Sequence, residues 1–308
     1  MHKFIFKRLL MMIPVILGVM FIIFTLNYIT PGDPIRQLLG DTADPQDIKA
    51  LTERFGLDQP FLVQFSKYVT NTIRLDFGNS YVSNRLVFTE IASRFPTTMR
   101  LALMGVMVAI LIGVPLGIIS ATKQYSIFDN ISTVVGLLGV SIPNFWLGMM
   151  LILLFSVKLD WFASSGFSTP RQWVLPSITI GMSSAAIIMR MTRSSMLEVI
   201  RQDYIRTARA KGQKESKIIF RHALKNALIP VITIVGLQFG FLLGGAVLTE
   251  SIFSIAGLGR FMVESIRQHD YPIIQGGVLL IAIIFSFVNL LVDVLYAFVD
   301  PRIRSQYK

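Results

Sequence analysis

Cysteine is absent from the 308 residues. That excludes a disulfide framework and any thiolate metal site. Histidine is nearly as scarce. His2, His222 and His269 are far apart and form no ligand spacing, so zinc and redox chemistry have no foothold. Charge is thin as well: 15% of the residues are Asp, Glu, Lys or Arg, against roughly 25% in soluble domains. No Gly stands directly before a Lys anywhere in the chain, so there is no GxxxxGK[ST] phosphate loop and no ATP site of that kind. The HExxH and GxSxG patterns are missing too. The chain therefore reads as no enzyme in its own right, with no catalytic residue and no cofactor of its own.

What fills the chain instead is apolar: 53% hydrophobic residues and a mean hydropathy of +0.62. Runs at 9–29, 98–121, 131–157, 174–196, 228–249 and 275–298 reach the ~20 apolar residues that cross a bilayer core. They predict an all-α integral membrane protein with six transmembrane helices. The first run follows Lys3, Lys7 and Arg8 as a signal sequence would. Its length, to Ile29, exceeds the ~7–15 residues of a signal core, and it reads as a retained span. The positive-inside rule places 1–8, 122–130, 197–227 and 299–308 on the cytosolic side, with both termini inside. Acidic and basic residues cancel on the outer side, so the net charge of +11 lies inside. That bias, with attraction to anionic lipid headgroups, accounts for an isoelectric point near 10 without nucleic acid as a partner.

Between the first two spans, about 30–95, the sequence predicts a small helical subdomain. Thr30–Pro34 (TPGDP) ends the first helix. Asp44-Pro45 reads as an N-cap and first-turn Pro of a helix ending near Gly56. Phe61, Phe65, Tyr68 and Val69 recur at helical spacing after Pro60. Phe77–Ser80 reads as a turn, and a third short helix is expected over Leu86–Arg94, before Pro96. Pro115, Pro143, Pro176 and Pro230 lie in or at the ends of spans, as kinks or as gate elements. Gly236, Gly240 and Gly244, and likewise Gly113 and Gly117, form small stripes suited to close helix packing. The one clear ionisable residue inside a span, Asp293, is expected to pair with Arg190 or Arg193. A proton- or ion-coupled carrier needs more than that.

The longest polar stretch after the second span is Asp203–Pro230, basic and helix-prone, between two apolar spans. Tyr204–Lys211 holds good helix formers, Gly212 interrupts them, and Lys214–Leu228 is helix-compatible again with Ile218, Ile219 and Leu224 on an apolar face. Such a helix–Gly–helix element can dock into a groove of a soluble partner, with Arg206, Arg209, Lys211, Lys214, Lys217 and Arg221 steering an acidic surface. It can equally lie on anionic lipid.

The stretch RTARAKG, Arg206–Gly212, resembles the EAA-xxx-G loop of ABC importer permeases of the dipeptide/oligopeptide/nickel branch. Arg206 and Thr207 replace the Glu and first Ala of the general pattern, while Ala208 and Gly212 hold. Leu224 fits downstream, but the Pro that should follow is Lys225. TPGDP, ERFGLDQP at Glu53–Pro60, LDFGNSY at Leu75–Tyr81, the segment Thr249–Gly276 and DPRIR at Asp300–Arg304 resemble the same branch in order along nearly the whole chain, in its first, B-type permease. The resemblance implies a type I (MetI-like) permease fold and a heterodimer with a homologous permease in a bacterial or archaeal cell (inner) membrane. It also implies two cytosolic ATPases holding ATP and Mg, and an extracytoplasmic substrate-binding protein. Tyr204, Arg206, Thr207, Ala208, Arg209, Ala210, Lys211 and Gly212 are then the ATPase-coupling residues, with packing around Gly212 expected to matter. No residue is assigned to substrate. The expected organisation is a cytosolic tip and first span (1–30), an extracytoplasmic helical subdomain (31–96), a permease core (97–298) with its coupling loop at 197–227, and a cytosolic tail (299–308). Di- and oligopeptides are the expected cargo, with nickel, a metal chelate or glutathione as alternatives; a stand-alone carrier is the reading from another class.

Overall fold

The computed structural model describes residues 2–32, 34–40 and 43–299; the DPRIR segment lies outside them. The described residues are helical apart from turns and one isolated bridge, Asn79 to Leu86. α1 (His2–Ile29) runs unbroken through Pro14. Three short helices follow: α2 (Pro34–Leu39), α3 (Pro45–Phe55) and α4 (Phe61–Ile73). The local signals act as expected. The Asp44 carboxylate accepts from the Gln46 amide at 2.9 Å, and Gly56 closes α3 in the left-handed region at φ 68°.

α5 (Val87–Thr122) departs from expectation. The separate short helix before Pro96 does not exist; α5 passes straight through that proline. Pro in a helix interior removes one hydrogen bond, but tertiary packing outweighs it. Val87 and Ile91 are fully buried against Leu258, Met262 and Ile273, which holds the first turns in helical register. At ~1.5 Å per residue the 36 residues of α5 span roughly 54 Å, well beyond a ~30 Å bilayer core.

The third apolar run is also not one straight helix. α6 (Ile127–Ser141) and α7 (Asn144–Leu151), which continues as a π-helical stretch Ile152–Lys158, meet at a 103° bend. Ile142 is extended, as the residue before a proline prefers to be, and Pro143 starts the new helix. The pair nevertheless travels from one end of the bundle to the other. Its neighbours on α8 (Pro170–Ile200) succeed one another without reversal: Arg193 beside Asp129, Met189 beside Gly136, Ala186 and Met182 beside Gly139, Thr179 beside Gly148, and Arg171 on the Trp161 carbonyl. It is a broken span, the sixth beside α1, α5, α8, α11 (Leu224–Ile252) and α13 (Tyr271–Val299).

α8 is the centre: 61% of its apolar window is buried. Gly113 and Gly117 of α5 place bare backbone against Ala185, Ile188, Met189 and Thr192 of α8, and Gly181 of α8 returns the contact at Gly105. Gly236 and Gly240 receive Val292 and Phe285 of α13, whereas nothing lies over Gly244. The stripes are packing surfaces within the subunit, as small residues in membrane helices allow, up to the open position at Gly244.

The remaining helices are α9 (Asp203–Ala210), the single turn α10 (Glu215–Lys217) and α12 (Leu258–Arg267). α10 runs through a π-turn, Ile218–Ala223, into α11, so the predicted second helix of the basic island is the root of a span. The island is bonded to the bundle.

Candidate functional site

α9 begins at Asp203 after an extended Gln202 and ends in a closed cap. The Gly212 amide donates to the Arg209 carbonyl at 2.9 Å and the Gln213 amide to the Ala208 carbonyl at 3.3 Å, the bond pair of a Schellman motif. That turn needs a residue in the left-handed region, and Gly212 has φ +70°. The expectation that neighbours pack against Gly212 is not met: no atom lies within 4 Å of where its Cβ would be. The requirement is on the backbone alone.

One side chain roots the helix. Ile205 is fully buried among Ala121 at the end of α5, Met196 of α8, Ile218 and Ala223 of the π-turn and Ala227 of α11, with Ala208 and Leu224 at the edge. Burial of a side chain this size contributes about 2–3 kcal/mol. The Asn226 amide donates to the Tyr204 hydroxyl at 2.8 Å, and Arg209 donates to Glu215 across the turn at 2.7 Å. The Glu215 carboxylate raises the Arg209 guanidinium above its ordinary value. Gln213 and His222 bond at 2.9 Å, and Arg206 lies 3.8 Å from Asp203. Tyr204, Arg206, Thr207, Arg209, Ala210, Lys211 and Gly212 are exposed and Ala208 is half-buried. The eight expected residues thus form one short, basic, outward-facing helix with a stiff far end, which can transmit a push from anything seated on it.

A polar cluster one turn along α8 escaped the sequence reading. Arg193 donates to both Asp129 oxygens at 2.9 Å, and Ser120 donates to Asp129 as well. The cluster joins α5, α6 and α8, and Asp129 is 3% exposed. The expected pairing of Asp293 with Arg190 or Arg193 is not what forms: Asp293 pairs with Arg8 of α1 at 2.9 Å, and Arg193 is taken by Asp129. The one sequence signal was Ser126 ahead of Asp129, an N-cap spacing that marks the start of α6, but nothing local names Arg193 as the partner. Arg193 and Met196 are three residues apart on α8, so this ion pair and the root of α9 share one helix face.

At the opposite end, the segment Thr249–Gly276 is anchored into the bundle by buried side chains. Phe253, Ile255 and Leu258 are fully buried. Glu250, also buried, accepts from the Thr98 hydroxyl and from the Arg260 amide at 2.9 Å, which caps the start of α12. Asp270 accepts from Ser80 and from the Tyr81 amide at 3.0 Å, holding the 77–86 turn down. These carboxylates serve architecture: each is consumed by donors of its own chain.

The comparisons with known proteins agree along the whole length. Residues 1–102 match the family described as binding-protein-dependent transport system membrane component, N-terminal. Residues 113–305 match the family described as binding-protein-dependent transport system inner membrane component. The chain is 44% identical to the dipeptide transport system permease protein DppB of Alkalihalophilus pseudofirmus, covering 97% of this chain and 98% of that one. It is also 44% identical to the glutathione transport system permease protein GsiC of Escherichia coli strain K12, over 99% of both. Among solved structures, an inward-facing form of the MetNI methionine ABC transporter superposes with a TM-score of 0.60 at 18% identity, over 68% of this chain and 96% of that one, a likeness of fold. The chain belongs to the binding-protein-dependent inner membrane components, as a permease subunit of an ABC importer of the dipeptide/oligopeptide family.

Proposed function

We propose that this subunit passes di- and oligopeptides across a bacterial or archaeal inner membrane, and that Tyr204–Gly212 is the lever through which an ATPase drives it. The observation that supports the lever is α9 itself. It is an exposed basic helix rooted by Ile205 into the ends of α5, α8 and α11, on a chain whose sequence holds no phosphate loop. ATP and Mg then belong to two partner ATPases. A second permease completes the pathway, an extracytoplasmic binding protein delivers cargo, and both termini and the 197–227 loop face the cytosol. When the ATPase pair closes, α9 is displaced. Ile205 and Met196 pass the motion to α8, and the Gly-backed contact with α5 carries the core as a body.

The relatives named for dipeptide and for glutathione transport stand at equal identity, which favours a short-peptide cargo and keeps glutathione as a second reading. Uptake of labelled di- and oligopeptides, glutathione and nickel into proteoliposomes holding the assembled complex with its binding protein tests both. ATP-dependent peptide uptake, competed by unlabelled peptide, is expected. ATP-dependent uptake of glutathione alone selects the second reading, nickel alone rejects both, and uptake by this chain without an ATPase overturns the importer mechanism.

A further inference from the structure

We infer that α4 is an interfacial helix that lies in the phospholipid leaflet around the C-terminal end of α1, and that the leaflet itself is the partner of its open apolar flank. The first observation is depth. α4 does not perch on the end of α1 but packs beside its last turns. The Phe61 ring contacts Tyr28, Phe24 and Phe21 at 5.0, 5.3 and 6.2 Å, Phe65 contacts Phe21 and Phe24 at 5.5 and 5.4 Å, and Tyr68 stacks on Phe24 at 5.7 Å. At ~1.5 Å per residue, Phe24 and Phe21 lie roughly 8 and 12 Å short of the helix end at Ile29. The apolar stretch Ile5–Ile29 is ~37 Å long, ~7 Å more than a bilayer core. Even with all of that excess on this side, Phe21 sits ~5 Å inside the hydrocarbon, within the ~5–10 Å depth at which interfacial helices ride.

The second observation is the wheel. At 100° per residue, Phe61, Phe65, Tyr68 and Thr72 face α1. The apolar arc then continues past that contact through Val69, Leu62 and Ile73. Leu62 and Ile73 are 73% and 76% exposed, far more than the α1 contact leaves exposed on Phe61 or Phe65. The opposite arc carries Gln64, Ser66, Lys67, Thr70 and Asn71 with one apolar residue among them, the exposed Val63; Gln64 donates back to the Gln59 and Leu57 carbonyls at 2.7 and 3.2 Å. On α1 beside it, Phe21, Ile22 and Leu26 are likewise exposed, as a spanning helix turns such residues to lipid. Charge agrees with the occupant. From Phe61 to Arg74 there is no acidic residue, while Lys67 and Arg74 are exposed, as suits anionic headgroups over a buried flank.

The absence of cysteine makes the test direct. Single cysteines at Leu62, Ile73, Lys67 and Asn71, all exposed, are labelled with an environment-sensitive fluorophore in the full-length chain. The chain, purified with its accompanying subunits, is reconstituted into phosphatidylethanolamine–phosphatidylglycerol vesicles with or without brominated acyl chains. L62C and I73C are expected to be quenched several-fold more by brominated lipid than K67C and N71C, and the order reverses for iodide in the aqueous phase. Equal iodide quenching at all four sites overturns the proposal in favour of a water-exposed subdomain. Shielding of L62C and I73C from both quenchers overturns it in favour of a protein partner on that flank.

Discussion

Gly212 shows how narrow a residue's task can be. It touches nothing through a side chain, so volume is not what restricts the position. What restricts it is φ +70° in a turn that two amide bonds define. A β-branched residue there costs about 1–2 kcal/mol of backbone strain and releases the end of α9. Gly212→Val is therefore expected to assemble with its ATPases and retain their hydrolysis while peptide uptake falls by an order of magnitude or more. Gly212→Asn, which tolerates the left-handed region, is expected to keep most uptake. Equal behaviour of the two variants, read as uptake per ATP hydrolysed, would show that the turn geometry is not what matters. Ile205 has the opposite character: its work is all volume. Ile205→Ala removes the root of α9, with a local cost of roughly 2–5 kcal/mol for a buried aliphatic truncation. The expected result is faster amide exchange across Asp203–Ala210 than in the parent complex, measured by hydrogen–deuterium exchange, with α8 and α11 unchanged.

At the scale of elements, sequence periodicity and end signals locate the apolar spans and α3, α4 and α9, because a 3.6-residue apolar repeat, an Asp-Pro start and a Gly stop are local facts. They do not yield α2, α12 or the break between α6 and α7. Asp44, Gly56 and Gly212 each behave as their neighbours in sequence dictate. Two of the misreadings share one cause. Pro96 does not end a helix because Val87 and Ile91 are held by residues more than 160 positions away, and Arg193 finds Asp129 instead of Asp293 because α6 happens to lie beside α8. Pairing across a bundle is decided by which helices adjoin, and nothing local encodes that. The same logic separates the glycines. A side chain at Gly113 meets the Ala185 carbonyl and Ile188, parts that cannot yield. Gly113→Leu is therefore expected to abolish accumulation of folded chain through overpacking of the α5–α8 seam. Gly244 has open space above it, and Gly244→Leu is expected to leave the folded yield of the subunit unchanged. Size-exclusion profiles of the two variants from the same expression decide the matter, and loss of the Gly244 variant alone would invert the packing assignment.

For the whole molecule, α8 carries the contacts in order from one end inward, the route along which the proposed lever would act. Met196 meets the root of α9, Arg193 holds Asp129 and Ser120, and the glycine contacts at Gly113 and Gly117 follow within the next turns. Removing one member of a buried ion pair leaves the other charge unpaired in a poor solvent for it, at roughly 3–5 kcal/mol. Arg193 keeps 29% of its side chain exposed, so the lower part of that range applies and the fold should survive. Asp129→Asn then loosens α6 from α8 without touching α9. The expected signature is a split: ATPase binding and basal hydrolysis near the parent level, with stimulation by loaded binding protein and peptide uptake both reduced several-fold. The exchange Asp129→Arg with Arg193→Asp restores the pair in reverse and should recover part of the uptake. If Asp129→Asn instead weakens ATPase binding, the ion pair serves the docking face, and any transmission along α8 must run through the α5 seam alone.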